Sequence, residues 1–214
     1  MSNRIEEWNL EAVRLVDLAI NEVIDAFFDD PYLHRSESSV QAHLWALLHN
    51  APHLAERKPL YCPRPLSQPW RRTRQYSSLP VQLEWPTIVK GPARSGDRQS
   101  SGRYDLAIIN PHTLSSSKTG AFGKGKLKPA VAVEIGLNPQ RHEDHIKDDR
   151  DKLDHNNIPY PCIIDLTREG GRDYGVEDLI NTIGGRFRVA HAYHGANWRR
   201  VKRIGDPSVD NYRE

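Results

Sequence analysis

The segment Ala130–Leu137 (AVAVEIGL) is apolar on both faces that a strand would present, with one charge, Glu134, at its centre. Strand side chains alternate, so Ala132, Glu134 and Gly136 would share one face and Val131, Val133, Ile135 and Leu137 the other. A strand apolar on both faces belongs in the middle of a sheet that is covered on both sides. Burying an ionised carboxylate in such a strand is costly unless a partner or a metal compensates it. Glu134 is thus either one half of a structural ion pair, with Arg103 or a lysine of the next helix, or part of a site.

The flanking pattern supplies the covering layers. Residues 4–28 place Ala12, Val16, Ala19, Val23 and Phe27 at three- and four-residue steps, which predicts a long amphipathic helix ending at Asp29-Asp30-Pro31. A second helix is expected from Ser36, as N-cap, to about Asn50, with Val40, Leu44, Leu47 and Leu48 on its buried side. Residues 59–80 carry five prolines and predict an extended excursion. Strands are expected at 81–89, at the sheet edge because of Pro86, and at 104–110. The 115–128 segment reads as a flexible loop. A helix over 142–156, with Ile146, Arg150 and Leu153 on one side, precedes a short buried strand at 161–166. A smaller helix at 176–183 and a last strand at 187–193 follow. Three strands, a helix and a fourth strand imply an α/β (α+β) fold built on a mixed sheet with helices packed over it. The expected organisation is an N-terminal helix (1–33) against a single domain (34–205), with a C-terminal tail at 206–214.

At 214 residues, 37% of them hydrophobic and 27% charged, the chain suits one large domain or one domain with an appended helix. It has no apolar run of the roughly eighteen residues a spanning helix needs. Acidic residues stand where a signal peptide needs an apolar stretch, and Cys62 and Cys162 are too isolated for a disulfide framework or a cysteine zinc site. A cytoplasmic protein is expected. The net charge is only +2, but the charges are sorted. Acids dominate the first thirty residues, whereas Arg57–Arg103, Lys118–Lys128 and Arg186–Arg203 are basic. These stretches either converge on a polyanion or are solvated loops. Trp70 beside Arg71 and Arg72, and Trp198 beside Arg199 and Arg200, add stacking capacity and favour nucleic acid.

Asp105 opens the strand that follows Gly102, and pairing of that strand with 130–137 would set Asp105 beside Glu134. A divalent cation relieves the repulsion of two such carboxylates, and Mg²⁺ accepts them while keeping several waters. GRYDLAI (102–108), AVAVEIG (130–136) and IKDDRDKL (146–153) together resemble the PD-(D/E)XK nuclease superfamily over residues 36–166. The resemblance implies a restriction-endonuclease-like αβββαβ core and Mg²⁺- or Mn²⁺-dependent hydrolysis of phosphodiesters, in DNA rather than RNA. It implies metal contacts from Asp105, Glu134, the Ile135 carbonyl and Glu37, the last in the first turn of the second helix. The superfamily's lysine, two residues after the acid, is Gly136 here. Lys147, on the following helix, is the candidate for a relocated catalytic lysine. Arg71, Arg72, Arg74, Lys124 and Lys126 would hold the nucleic-acid backbone. The alternative that Gly136 raises is a catalytically inactive nuclease fold serving as a nucleic-acid- or protein-binding subunit. Apolar surface on the first helix leaves room for a homodimer.

Other constellations carry less. His142-Glu143-Asp144-His145 offers two histidines three apart on a helix but no evident third ligand. His191 and His194 suggest nothing specific. GAFGKGK (120–126) lacks the phosphate-loop pattern, and no serine nucleophile elbow is present.

Overall fold

The computed structural model of the chain describes residues 2–56, 58–60, 76–87, 102–116, 126–138, 142–168, 186–195, 198–204 and 210–213. Helix α1 (Ser2–Asp29) follows its apolar spacing to the end and stops short of Pro31. Asp30 closes it with an Asx turn, its Oδ1 accepting the Tyr32 N–H at 3.0 Å. Ser36 is the N-cap of α2 (Glu37–Asn50), where Ser39 Oγ donates to the Ser36 carbonyl at 2.8 Å. The one-turn helix α3 (Pro52–Ala55) begins on Pro52, a residue suited to a first helical position.

Strands β1 (Lys58–Leu60) and β2 (Tyr76–Ser78) pair antiparallel at the two ends of the proline-rich excursion. The main sheet has seven strands in chain order: β3 (Val81–Pro86), β4 (Arg103–Ile108), β5 (Val131–Leu137), β6 (Tyr160–Arg168), β7 (Arg188–His194), β8 (Trp198–Lys202) and β9 (Asp210–Arg213). Pairing is antiparallel from β3 to β5, parallel from β5 to β7, and antiparallel again to β9. The strand with Pro86 lies at the sheet edge, as its missing N–H requires. Helix α4 (Pro111–Ser116) follows β4, with Asn110 Oδ1 accepting the His112 N–H at 2.9 Å. Helix α5 (His142–His155) makes the crossover between the parallel strands β5 and β6. Its end is a Schellman motif, with Asn157 in the left-handed region (φ 54°) and the Ile158 N–H donating to the Leu153 carbonyl.

The two faces of β5 separate two cores. Val131, Val133, Ile135 and Leu137 pack with α1 and α2, joined by Leu106, Ile108, Cys162, Ile164 and Leu166. Ala132 lies on the other side with Tyr104, Ile163 and Val189, covered by Ile146 and Leu153 of α5. Helix α1 is fastened to the far strands by polar ties. Arg188 pairs with Asp17, Arg203 with Asp25, and the Ile204 N–H donates to Asn21 Oδ1 at 3.2 Å.

The structure departs from the sequence expectation at the C-terminal end. Residues 206–214, expected as a tail, include β9, and β8 lies where no element was expected. Three of the five residues of β8 and two of the four of the edge strand β9 are charged, so neither shows the apolar alternation that marks a strand. The helix expected at 176–183 lies outside the described residues. Among the described residues no helix is long and apolar enough to cross a membrane.

Candidate functional site

Asp105 stands where β3 and β4 both rotate. Leu106 and Ile108 face the α1–α2 core, whereas Tyr104 faces the α5 core, so the alternation slips by one at Asp105. Opposite, Glu84 has φ 51°, a left-handed conformation rare outside glycine, between Leu83 and Trp85, which pair with Leu106 and Tyr104. Gln41 of α2 bridges the turn, donating to the Asp105 carbonyl and to Glu84 Oε1 at 3.0 Å. The described β4–β5 pairing reaches Leu106 and Val133. Beyond it Asp105 replaces a ladder bond with its side chain, Oδ2 accepting the Ile135 N–H at 2.7 Å. Burial nevertheless pushes the Asp105 carboxyl up to about 6, against that hydrogen bond and the nearby Lys152 charge.

Glu134 is 2% exposed and faces α5. Its Oε2 accepts from Lys152 Nζ at 2.6 Å, while Oε1 is buried with no hydrogen-bond partner. The same ammonium lies 3.2 Å from Asp149 Oδ1 and donates to the Arg103 carbonyl at 3.1 Å. Burial drives Glu134 well above the ordinary carboxylate range, with Asp149 and Asp105 adding repulsion and Lys152 opposing it. For Lys152, burial pulls downward but the Glu134 and Asp149 carboxylates outweigh it and hold the ammonium charged.

Gly136, the next residue on the same face, underlies a third group. A Cβ at this position would lie 3.4 Å from both Cδ2 and Nε2 of His145 and 3.5 Å from Asp165 Oδ1. Asp165, its register partner on β6, bonds through Oδ2 to His191 Nδ1 at 2.7 Å, both side chains being almost fully buried. His145 Nε2 is 3.4 Å from Asp149 Oδ2, which joins this group to the lysine.

The residues singled out from sequence are therefore only partly gathered. Asp105 and Glu134 act on each other electrostatically, and the Ile135 backbone lies between them through its N–H to Asp105. Glu37 accepts the Leu137 N–H at 3.3 Å, and the charges that shift Asp105 and Glu134 do not include it. Lys147 is exposed; the helix ammonium at Glu134 belongs to Lys152, five residues further on. Lys126 is exposed, while Arg71, Arg72, Arg74 and Lys124 lie outside the described residues. Sequence reasoning expected a lysine of this helix as an ion-pair partner of Glu134 without singling out Lys152, and it missed Asp149, Gln41 and Glu84. A signal for Asp149 exists: it sits three residues after Ile146 and four before Leu153, on the face that those two bury.

Among the described residues no three of His, Cys, Asp and Glu converge as a metal cage. Two carboxylates with a backbone carbonyl and waters nonetheless suit Mg²⁺, which seldom uses an all-protein cage. The partnerless Glu134 Oε1 is an acceptor of the hard kind such an ion takes. No family model, no curated protein and no solved structure matches this chain.

Proposed function

We propose that this chain is a metal-dependent phosphodiesterase of the PD-(D/E)XK nuclease type, with its lysine moved from strand to helix. The observation that carries the reading is the ion pair of Glu134 with Lys152, set beside Asp105 where β4 and β5 cease to pair. With α3, β1, β2 and α4 taken as insertions, the order α2, β3, β4, β5, α5, β6 supports the αβββαβ sequence that the resemblance calls for. Asp105, Glu134 and the Ile135 carbonyl would hold Mg²⁺ or Mn²⁺, which when bound supplies Lewis-acid polarisation of the phosphate. Lys152 keeps a positive charge at the same carboxylate, suited to steady the charge that grows on the phosphoryl oxygens. The slipped alternation at Asp105 brings its carboxylate to β5, and Gln41 fixes that turn. DNA is the proposed substrate, held by the basic stretches. The exposed Leu10 and Leu18 of α1 are the proposed dimer surface.

Incubation with supercoiled, linear and single-stranded DNA, and with RNA, in Mg²⁺ or Mn²⁺ tests the reading. Cleavage lost in Asp105→Ala and in Glu134→Ala is expected; cleavage that persists in both removes the site. One observation favours the second reading, an inactive binding subunit: Lys152 already neutralises the carboxylate a metal would take. That reading expects DNA binding that falls steeply with salt and no metal-dependent cutting.

A further inference from the structure

The spot above Gly136 is bounded by an imidazole nitrogen from α5 and a carboxylate oxygen from β6, at 3.4 and 3.5 Å from where a side chain would begin. Glu134 precedes it by two residues on the same sheet face, with its Oε1 buried and lacking a hydrogen-bond partner. His145 Nε2 is also buried without a hydrogen bond, since Asp149 Oδ2 at 3.4 Å lacks the geometry for one. An unsatisfied imidazole nitrogen beside that spot is costly, and a water is the smallest group that satisfies it. Lys152, held as an ammonium by carboxylate oxygens at 2.6 and 3.2 Å, cannot take a proton from that water. His145 Nε2, beside the spot and without a hydrogen-bond partner, is placed to do so.

We propose that His145 is a further catalytic residue, whose Nε2 holds the attacking water above Gly136 and accepts its proton. The proposal rests on the phosphodiesterase reading. The water oxygen forms a bond to phosphorus as the bond to the leaving sugar oxygen breaks, with that electron pair departing on the leaving oxygen. The water's proton passes to His145 Nε2, and the leaving oxygen takes a proton from solvent. Asp149 stabilises the imidazolium so formed, and Asp165, fixed from behind by His191, orients the water. Gly136 is then required by function. A longer side chain would fill the water's place, which accounts for the missing lysine.

The test uses the full chain with Mn²⁺ and supercoiled plasmid, comparing wild type with His145→Ala, His145→Gln and Asp105→Ala. A general base of this kind is expected to contribute about a hundredfold or more to kcat. Both His145 variants should lose that factor while KM for DNA, Mn²⁺ affinity by calorimetry and the melting temperature stay near wild type. Free imidazole should restore cleavage by His145→Ala and leave Asp105→Ala inactive. Wild-type kcat in both His145 variants, with Asp105→Ala inactive, overturns the proposal and leaves the phosphodiesterase reading intact. Loss without imidazole rescue, or loss that tracks weakened Mn²⁺ binding or a lowered melting temperature, makes His145 structural and also overturns it. Absence of metal-dependent cleavage by wild type removes both.

Discussion

Lys152 Nζ lies 2.6 Å from Glu134 Oε2, joining the last turn of α5 to the centre of the sheet. The acid is 2% exposed and its partner's side chain 24%, so the pair is screened little by water. Removing one member leaves an uncompensated buried charge. Lys152→Met is therefore expected to destabilise the fold by about 3–5 kcal/mol. The double variant Glu134→Gln/Lys152→Met should recover a large part of that loss. Urea unfolding of the four proteins measures the coupling; costs that simply add would mean the pair is not coupled.

Asp105 gives the opposite of the usual carboxylate pH dependence. Its carboxyl is raised to about 6 from 3.8, so between those values the folded state holds a proton that the unfolded state has released. The group's stabilising contribution is complete below the unfolded value and is lost as pH rises through about 6. A shift of about two units corresponds to roughly 3 kcal/mol at neutral pH, an upper figure because the side chain keeps some contact with water. Asp105→Asn keeps an acceptor for the Ile135 N–H and does not ionise. It should be more stable than wild type at pH 7.5 and show little difference at pH 4, by thermal unfolding at both pH values, while losing metal-dependent cleavage.

Gly136 should tolerate alanine and resist lysine. Its backbone is outside the left-handed region, and an added Cβ meets its neighbours at ordinary contact distances. Gly136→Ala is expected to change stability by less than about 1 kcal/mol. Gly136→Lys would place a lysine two residues after Glu134 but must push through His145, at an expected loss of about 1–3 kcal/mol. Adding His145→Ala should relieve most of that loss, as read by denaturant midpoints; an unrelieved loss would place the clash elsewhere.

Cys162 sits in the α1–α2 core, with its thiol pushed up to about 12 by burial and by the Asp17 charge. In a Cys62→Ser background, a maleimide at pH 8 should label Cys162 only as fast as the chain opens. Fast labelling under native conditions would show that this core is loosely closed.

The central strand was legible because both of its faces are apolar, and Glu134 stood out as the only charge within it. That Asp105 and Glu134 lie on neighbouring strands followed from the strand order. A helix lysine was expected as the partner of Glu134, but which one was not legible, because α5 has only Ile146 and Leu153 as buried apolar residues among the described part of its sequence, seven positions apart. With so sparse a stripe, charges on the buried face look like charges in solvent. Arg150, expected beside Ile146 and Leu153, instead pairs with Asp151 at 2.8 Å, and Asp149 takes the buried position. Glu37 was expected near Asp105, but its helix points it at the Leu137 N–H. The turn at Glu84 had no signal, since a glutamate in the left-handed region is held there by Gln41, forty-three residues away in sequence. The strands β8 and β9 hid because their charged residues break the apolar alternation, a composition that suits β9 as the sheet edge.

The ties of α1 set a constraint on biosynthesis. Glu6 meets Tyr160, Asp17 meets Arg188 and Asn21 meets Ile204 across 154, 171 and 183 positions. At ordinary translation speeds the helix leaves the ribosome roughly 10 to 30 s before its docking strands have been made. Through that interval the stripe from Ala12 to Phe27 can meet α2 and β5, but not the part of its core that β6 and β7 supply. The polar ties of α1 thus close last, after a partial core of α1, α2 and β5 can already have formed.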